Sequence, residues 1–330
     1  MSLVFRAFLL IIVATSLAAS AQTNQLRLVS TAWPPFTNQA GQPRFALDLV
    51  EAAFGRIGLS ANTTIVDAAQ FTSSLLDGPF DGSAAAWKDP DRERVLLFSQ
   101  PYLENRLILV ARRGGDVSAT SLAALKGKRI AIVEGYSYGE AVDNAGPTFV
   151  RSRGEEDSLK RLLASEVDYS LMDDLVVQYI VSNYATEART RLQVGTTPLV
   201  TRALYLAVRR TRPDAESIIN RFNSQLRSMV ADRTYHRLLH VDWIRADVDG
   251  DGLAENVPQS DQPGRLEPAR SYELFSSQQP TSTSLSTSQR FYFGGTTYNS
   301  WAAVPDRYKV EDPLHKDPSR SVVPIFKFSW

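Results

Sequence analysis

The chain has 330 residues, enough for about two domains. Its 36 Lys and Arg residues balance 36 Asp and Glu, so no basic surplus points to nucleic acid or anionic lipid. The absence of cysteine excludes disulfides, a thiol nucleophile and cysteine-ligated metals.

The chain opens with the pattern of a secretory signal peptide over residues 1–21. Arg6 supplies a positive end, Ala7 to Ala18 form an apolar core, and Ala19-Ser20-Ala21 presents small residues for cleavage. That core is too short to span a bilayer, and no later stretch is long and apolar enough. The mature protein is therefore expected to be periplasmic and not membrane-embedded. Beyond the leader, strand-like and helical patterns alternate. Leu26 to Ser30 reads as a strand, and Phe45 to Ile57 as a helix stopped by Gly58. Leu107 to Ala111 is a strand, Leu122 to Lys126 a short helix and Arg129 to Val133 a buried strand; Gly135 to Ala141 opens a helix. Ser158 to Leu163 is helical, Tyr169 to Met172 and Leu204 to Val208 are strands, and Ala215 to Met229 is a long amphipathic helix. Such alternation predicts α/β sheets with parallel or mixed pairing.

After Trp243 the pattern changes. Asp247 to Glu255 is acidic and glycine-containing, Ser276 to Gln289 is rich in Ser, Thr and Gln, and aromatics gather at Phe291-Tyr292-Phe293 and Phe326 to Trp330. The last five residues alternate like a strand.

Four stretches, in order, carry a resemblance. They are Trp33-Pro34-Pro35-Phe36 with Gly41 and Ala46 to Leu49; Asp81-Gly82, Asp89 to Arg92 and Phe98 to Tyr102; Leu125 to Ile132 with Glu134 to Ser137; and Val167 to Asp173. Together they resemble the bacterial extracellular solute-binding proteins that serve polar amino-acid transporters. The resemblance implies an α/β, two-lobed periplasmic binding protein-like fold (type II), followed by a C-terminal β-rich or irregular extension. It divides the chain into lobe one (residues 22–111 and 201–245), lobe two (112–200) and an extension (246–330). It implies capture of a small polar ligand, an amino acid or related carboxylate, for the permease of an ABC-type membrane transporter.

The residues fit that chemistry. Arg92 offers a planar fork for a carboxylate, and Ser137 is expected to start a helix whose N–H groups favour an anion. Asp173, at the end of a strand, offers an anion for an ammonium. Trp33, Phe36, Trp87 and Tyr136 supply an apolar wall. One departure stands out: Asp89 replaces the hydroxyl residue that the resembled family carries three positions before the arginine. An anion there repels a ligand carboxylate unless it is paired. A dehydratase-like enzyme on the same scaffold, with Asp89 or Asp173 as acid or base, is the alternative reading; a ligand sensor that uses the extension is another.

Asp247-Val248-Asp249-Gly250-Asp251-Gly252-Leu253-Ala254-Glu255 has carboxylates at alternate positions of a tight turn, as a structural Ca2+ site needs. Asp247, Asp249, Asp251, the Leu253 carbonyl and Glu255 are the expected ligands. Pro258 occupies the position where an EF-hand has its Glu, so the loop instead resembles the calcium loops of integrin-type repeats, which lie between strands. His236 and His240 have a zinc-compatible spacing but no third ligand in view.

Overall fold

The computed structural model describes residues 24–143, 145–268, 271–274 and 289–310. The leader, the bulk of the Ser/Thr/Gln-rich stretch and the terminal aromatic run lie outside the described residues. In chain order the elements begin with β1 (Gln25–Thr31), α1 (Phe45–Arg56), β2 (Ser60–Val66), α2 (Ala68–Asp77), β3 (Gly82–Trp87), α3 (Pro90–Val95), β4 (Leu96–Phe98) and β5 (Leu103–Arg112). Next come β6 (Arg129–Val133), α4 (Glu140–Asp143), β7 (Thr148–Ser152), α5 (Glu155–Leu163), β8 (Tyr169–Asp173), α6 (Asp174–Asn183), α7 (Ala185–Arg191), β9 (Leu192–Val194) and β10 (Val200–Arg209). The chain continues through α8 (Ala215–Ala231), α9 (Thr234–Leu239), β11 (Trp243–Ala246), β12 (Glu255–Pro258), β13 (Tyr272–Glu273), β14 (Phe291–Phe293) and β15 (Thr296–Tyr298).

Among the described residues the strands form two sheets. The larger runs β2-β1-β3-β10-β5-β8-β6-β7, with β4 paired to β10 and β9 to β5. Each end of it is parallel, β1 with β2 and β3, and β6 with β7 and β8. The middle is antiparallel because β5 and β10 cross between the lobes. Leu107 pairs with Val200 on one side and with Asp173 on the other, so lobe one passes into lobe two there without breaking the ladder.

Helix periodicity explains the packing. On α1 the residues Ala46, Leu49, Val50, Ala53 and Phe54 are buried, one stripe at 3.6-residue spacing. On α8 the buried set is Ala215, Ile218, Ile219, Phe222, Leu226, Met229 and Val230, and Phe54 meets Phe222 edge to face at 6.2 Å. The helix expected to open at Gly135 does not form there. Gly135 (φ +76°) and Gly139 (φ +86°) are both left-handed, so the chain stays a loop until α4 at Glu140. The segment expected as a short helix over Leu122–Lys126 is a single 3-10 turn over Leu122–Leu125.

The smaller sheet, ordered β13-β11-β12-β14-β15, adds four strands of the extension to β11, which lies at its base. β11 and β12 pair antiparallel, so the acidic loop lies between two strands. A second aromatic core backs this sheet: Phe291, Phe293, Val304 and Tyr308, with Trp243, Tyr298 and Trp301 against them.

Candidate functional site

The cleft between the lobes is built from three turns. In the first, the Trp33 N–H donates to Thr37 O (2.8 Å) and the Phe36 N–H to Trp33 O (2.8 Å). This tight loop stacks Phe36 on Trp33 at 4.4 Å, while Phe36 packs on Phe45 of α1. Phe36 is fully buried and supports Trp33 from behind. In the second turn, Trp87 ends β3 and Asp89 caps α3. Its Oδ1 accepts from the Arg92 N–H (2.8 Å), with Pro90 at the first helical position. The third turn is the loop of Gly135 to Gly139, which reaches from lobe two.

These turns meet. Trp33 stands edge-on to Trp87 (5.6 Å) and to Tyr136 (5.5 Å), and Trp87 meets Tyr136 and Tyr138 at 5.5 and 5.4 Å. Arg92 is 3% exposed. Its Nε pairs with Asp89 Oδ2 at 3.2 Å, its Nη1 donates to Trp87 O (2.9 Å) and its Nη2 to Gly135 O (3.1 Å). Burial lowers the Arg92 pKa, and the Asp89 charge opposes that. Ser137 Oγ donates to the same Asp89 Oδ2. Thr72 Oγ1 donates to Gly135 O (3.2 Å), and the Thr31 and Tyr136 hydroxyls lie 3.3 Å apart. The lobe-two loop is thereby fastened onto lobe one, and the cleft is shut around Arg92. The cavity left between Trp33, Trp87, Arg92, Tyr136 and Ser137 holds about 20 Å³, room for about one water molecule.

A larger groove of about 820 Å³ lies beside it. Ala32, Pro34 and Asn38 of lobe one face Glu155, Tyr179, Ile180 and Tyr184 of lobe two across it. That volume is in the range of small-molecule sites. Glu155 opens α5 with Glu156 and Asp157 behind it. The residue is only partly buried, but its Oε2 is enclosed and has no hydrogen-bond partner. Burial pushes its carboxyl up to about 8. Trp33 Nε1 is likewise enclosed without a partner.

The profile of the bacterial extracellular solute-binding proteins, family 3, matches residues 27–245. The chain belongs to that family. Among curated relatives, the ABC transporter arginine-binding protein 1 of Escherichia coli (strain K12) is 26% identical over 221 residues, covering 64% of this chain and 86% of that one. The solved structures that resemble it include an ancestral arginine-binding protein bound to arginine (TM-score 0.56, 22% identity, 66% of this chain and 98% of that one). Another is the GluR0 ligand-binding core from Nostoc punctiforme in complex with (L)-glutamate (TM-score 0.53, 20% identity, 64% and 96%). The matched region stops at the base of the extension.

Within this solute-binding protein the structure brings Trp33, Trp87, Arg92, Tyr136 and Ser137 to one cavity, with Phe36 behind them. Asp173 stands elsewhere. Its Oδ1 accepts from the Leu175 N–H (2.8 Å), capping α6, and its Oδ2 accepts from the Arg106 N–H (3.1 Å). Burial and then Asp174 push the Asp173 carboxyl well above the usual range, while Arg106 pairs with Asp174 at 3.1 Å. Thr31 and Phe71 also line the Arg92 cavity, and they, Tyr138 and Glu155 carry no motif that singles them out in the sequence. The acidic first turn of α5 after Gly154 was the one legible signal among them, since acids favour a helix start.

The acidic loop is also formed. Carboxylate oxygens of Asp247, Asp249 and Glu255 lie within 4.8 Å of one another. Asp251 turns aside to pair with Arg290 Nη1 at 2.8 Å, and Arg290 also reaches Asp249 and Glu255 at 3.2 Å. The Leu253 N–H donates to Asp251 Oδ1 (2.8 Å), and the Gly250 N–H to Asp247 Oδ1 (2.6 Å). Burial raises the Glu255 carboxyl to about 7. His236 turns away from any zinc role: its Nε2 bonds Val257 O of β12 at 2.9 Å.

Proposed function

We propose that this solute-binding protein works in the periplasm, where it captures a small polar ligand of the amino-acid class and presents it to the permease of an ABC-type transporter. The groove of about 820 Å³ between the lobes carries this reading, because β5 and β10 can flex there to admit and enclose a ligand. The arginine named for several relatives makes basic amino acids and their chemical kin the first to test. Calorimetry of the purified protein with a panel of such ligands is expected to show saturable heat, with ligand recovered unchanged. Turnover of the ligand would favour the enzyme reading, and silence across the panel would overturn the binding role. The same protein is proposed to hold one Ca2+ between Asp247, Asp249 and Glu255, with a backbone carbonyl such as that of Leu253 completing the shell. Calcium supports that reading by its need for clustered oxygens. Native mass spectrometry is expected to show one calcium, removed by chelator with a fall in Tm. A protein that retains none leaves Arg290 as the loop's own counter-ion.

A further inference from the structure

We infer that Asp89 stands in for a ligand's carboxylate, so that the ligand this chain holds is an organic amine or guanidine without one. The inference rests on the binding reading above and narrows its chemistry. Ser137 Oγ donates to one oxygen of Asp89, and Arg92 Nε is ion-paired with that same oxygen at 3.2 Å; both groups would otherwise face a ligand carboxylate. The Arg92 Nη atoms are bound to the Trp87 and Gly135 carbonyls. A second carboxylate would have to displace Asp89 and would meet its charge within hydrogen-bond distance. The 20 Å³ at Arg92 leaves no room for it either. Asp89 thus closes the circuit between the lobes from within the chain.

What remains for a ligand is the large groove, where four acids, Glu155, Glu156, Asp157 and Glu187, face three bases, Arg153, Lys160 and Arg191, a balance that favours a cation by one charge. Glu155 lines the large groove, and its Oε2 is enclosed without a hydrogen-bond partner. A cation beside that oxygen would favour its charged form, and Tyr179 and Tyr184 bring aromatic rings to the same groove. Arg202 donates to Lys88 O at 2.6 Å, and its guanidinium already lies 5.9 Å from the Trp87 ring at the cavity wall.

Matched pairs of amino acid and decarboxylated amine test this by calorimetry on the full exported chain: arginine with agmatine, lysine with cadaverine, ornithine with putrescine. The wild-type protein is expected to bind the amine of at least one pair at least tenfold more tightly than its amino acid. Asp89→Thr keeps a helix cap and removes the charge, and it should shift that ratio at least tenfold toward the amino acid. Asp89→Asn, which also caps, should shift it the same way. A wild-type preference for the amino acids, or a ratio unmoved in both variants, overturns the inference and leaves the binding role standing. Silence from all six probes and from the wider panel, in wild type and variants, overturns both.

Discussion

Gly135 holds the lobe-two loop against Arg92 through its carbonyl, and two constraints make it hard to replace. Its φ is +76°, and a Cβ there would lie 2.6 Å from the Ala68 carbonyl oxygen of α2. A left-handed conformation costs an L-residue about 1–2 kcal/mol, and the backbone clash adds to that. Gly135→Ala is therefore expected to push the loop off α2 and favour the open cleft. Small-angle scattering should show a larger radius of gyration for the unliganded variant, and ligand affinity should fall about tenfold, the equivalent of about 1.4 kcal/mol. An unchanged radius and affinity would mean that closure does not depend on this backbone. At this scale much of the candidate cavity was legible, because Trp33, Trp87, Arg92, Tyr136 and Ser137 sit in motifs with recognisable local order. Glu155 was not, because only lobe closure brings α5 toward the Trp33 turn, and Tyr138 was not, because it lies one residue beyond the resembling stretch. Asp173 shows the opposite failure: a carboxylate at a strand end satisfied the local pattern and was taken up by the next helix as its cap.

Elements read well from the sequence where apolar spacing was long and regular, as in α1 and α8. They read less well where glycine set the backbone, since the left-handed Gly135 and Gly139 turned an expected helix into a loop. Tertiary contacts then load some elements with groups whose state depends on pH. His236 on α9 is fully buried, bonded to the Val257 carbonyl and faced by Arg233 and Arg265. Burial holds its pKa down at about 4, below the ordinary 6.5. A depressed histidine stabilises the fold above its unfolded value, and that stability drains as the pH falls from about 6.5 toward about 4. The span corresponds to on the order of 3 kcal/mol. The neighbouring Glu255 runs the other way, because its raised value costs stability as the pH climbs from about 4.5 to about 7. His236→Asn keeps an amide donor for Val257 O and removes the titration. Between pH 7.5 and pH 4.5 the Tm of wild type is expected to fall several degrees further than that of the variant. Equal losses would show that carboxylates elsewhere govern the acid limb.

For the whole molecule, the two-lobed fold followed from the order of four motifs, and the extension was foreseen as a β-rich or irregular addition. Its docking against the crossing strands was not foreseen, because the contact joins residues 168 positions apart. Tyr272 of β13 is 1% exposed and donates to the Glu104 carbonyl on β5 at 3.1 Å. The Arg106 guanidinium lies 5.5 Å from its ring and reaches across to Asp174 of lobe two. On the same strand Asn105 Oδ1 accepts from Trp87 Nε1 at 2.7 Å, so three successive β5 residues join the extension, lobe two and the candidate cavity. Val257, Tyr272 and Leu274 of the extension also share one continuous core with residues of both lobes, so the extension cannot shift without disturbing the crossing strands. Tyr272→Phe removes the hydroxyl and keeps the ring under Arg106, and it should cost about 1 kcal/mol of stability with little change in affinity. Tyr272→Ala removes the ring as well, costing about 3–5 kcal/mol, and leaves Arg106 less constrained at the crossing. That variant is expected to fold at low temperature and to change ligand affinity severalfold, although Tyr272 does not line the groove. Calorimetry and thermal unfolding on both variants separate the two effects. An affinity unchanged in folded Tyr272→Ala would reduce the extension to a stabilising cover, whereas a change there and not in Tyr272→Phe would locate the coupling in the ring beneath Arg106.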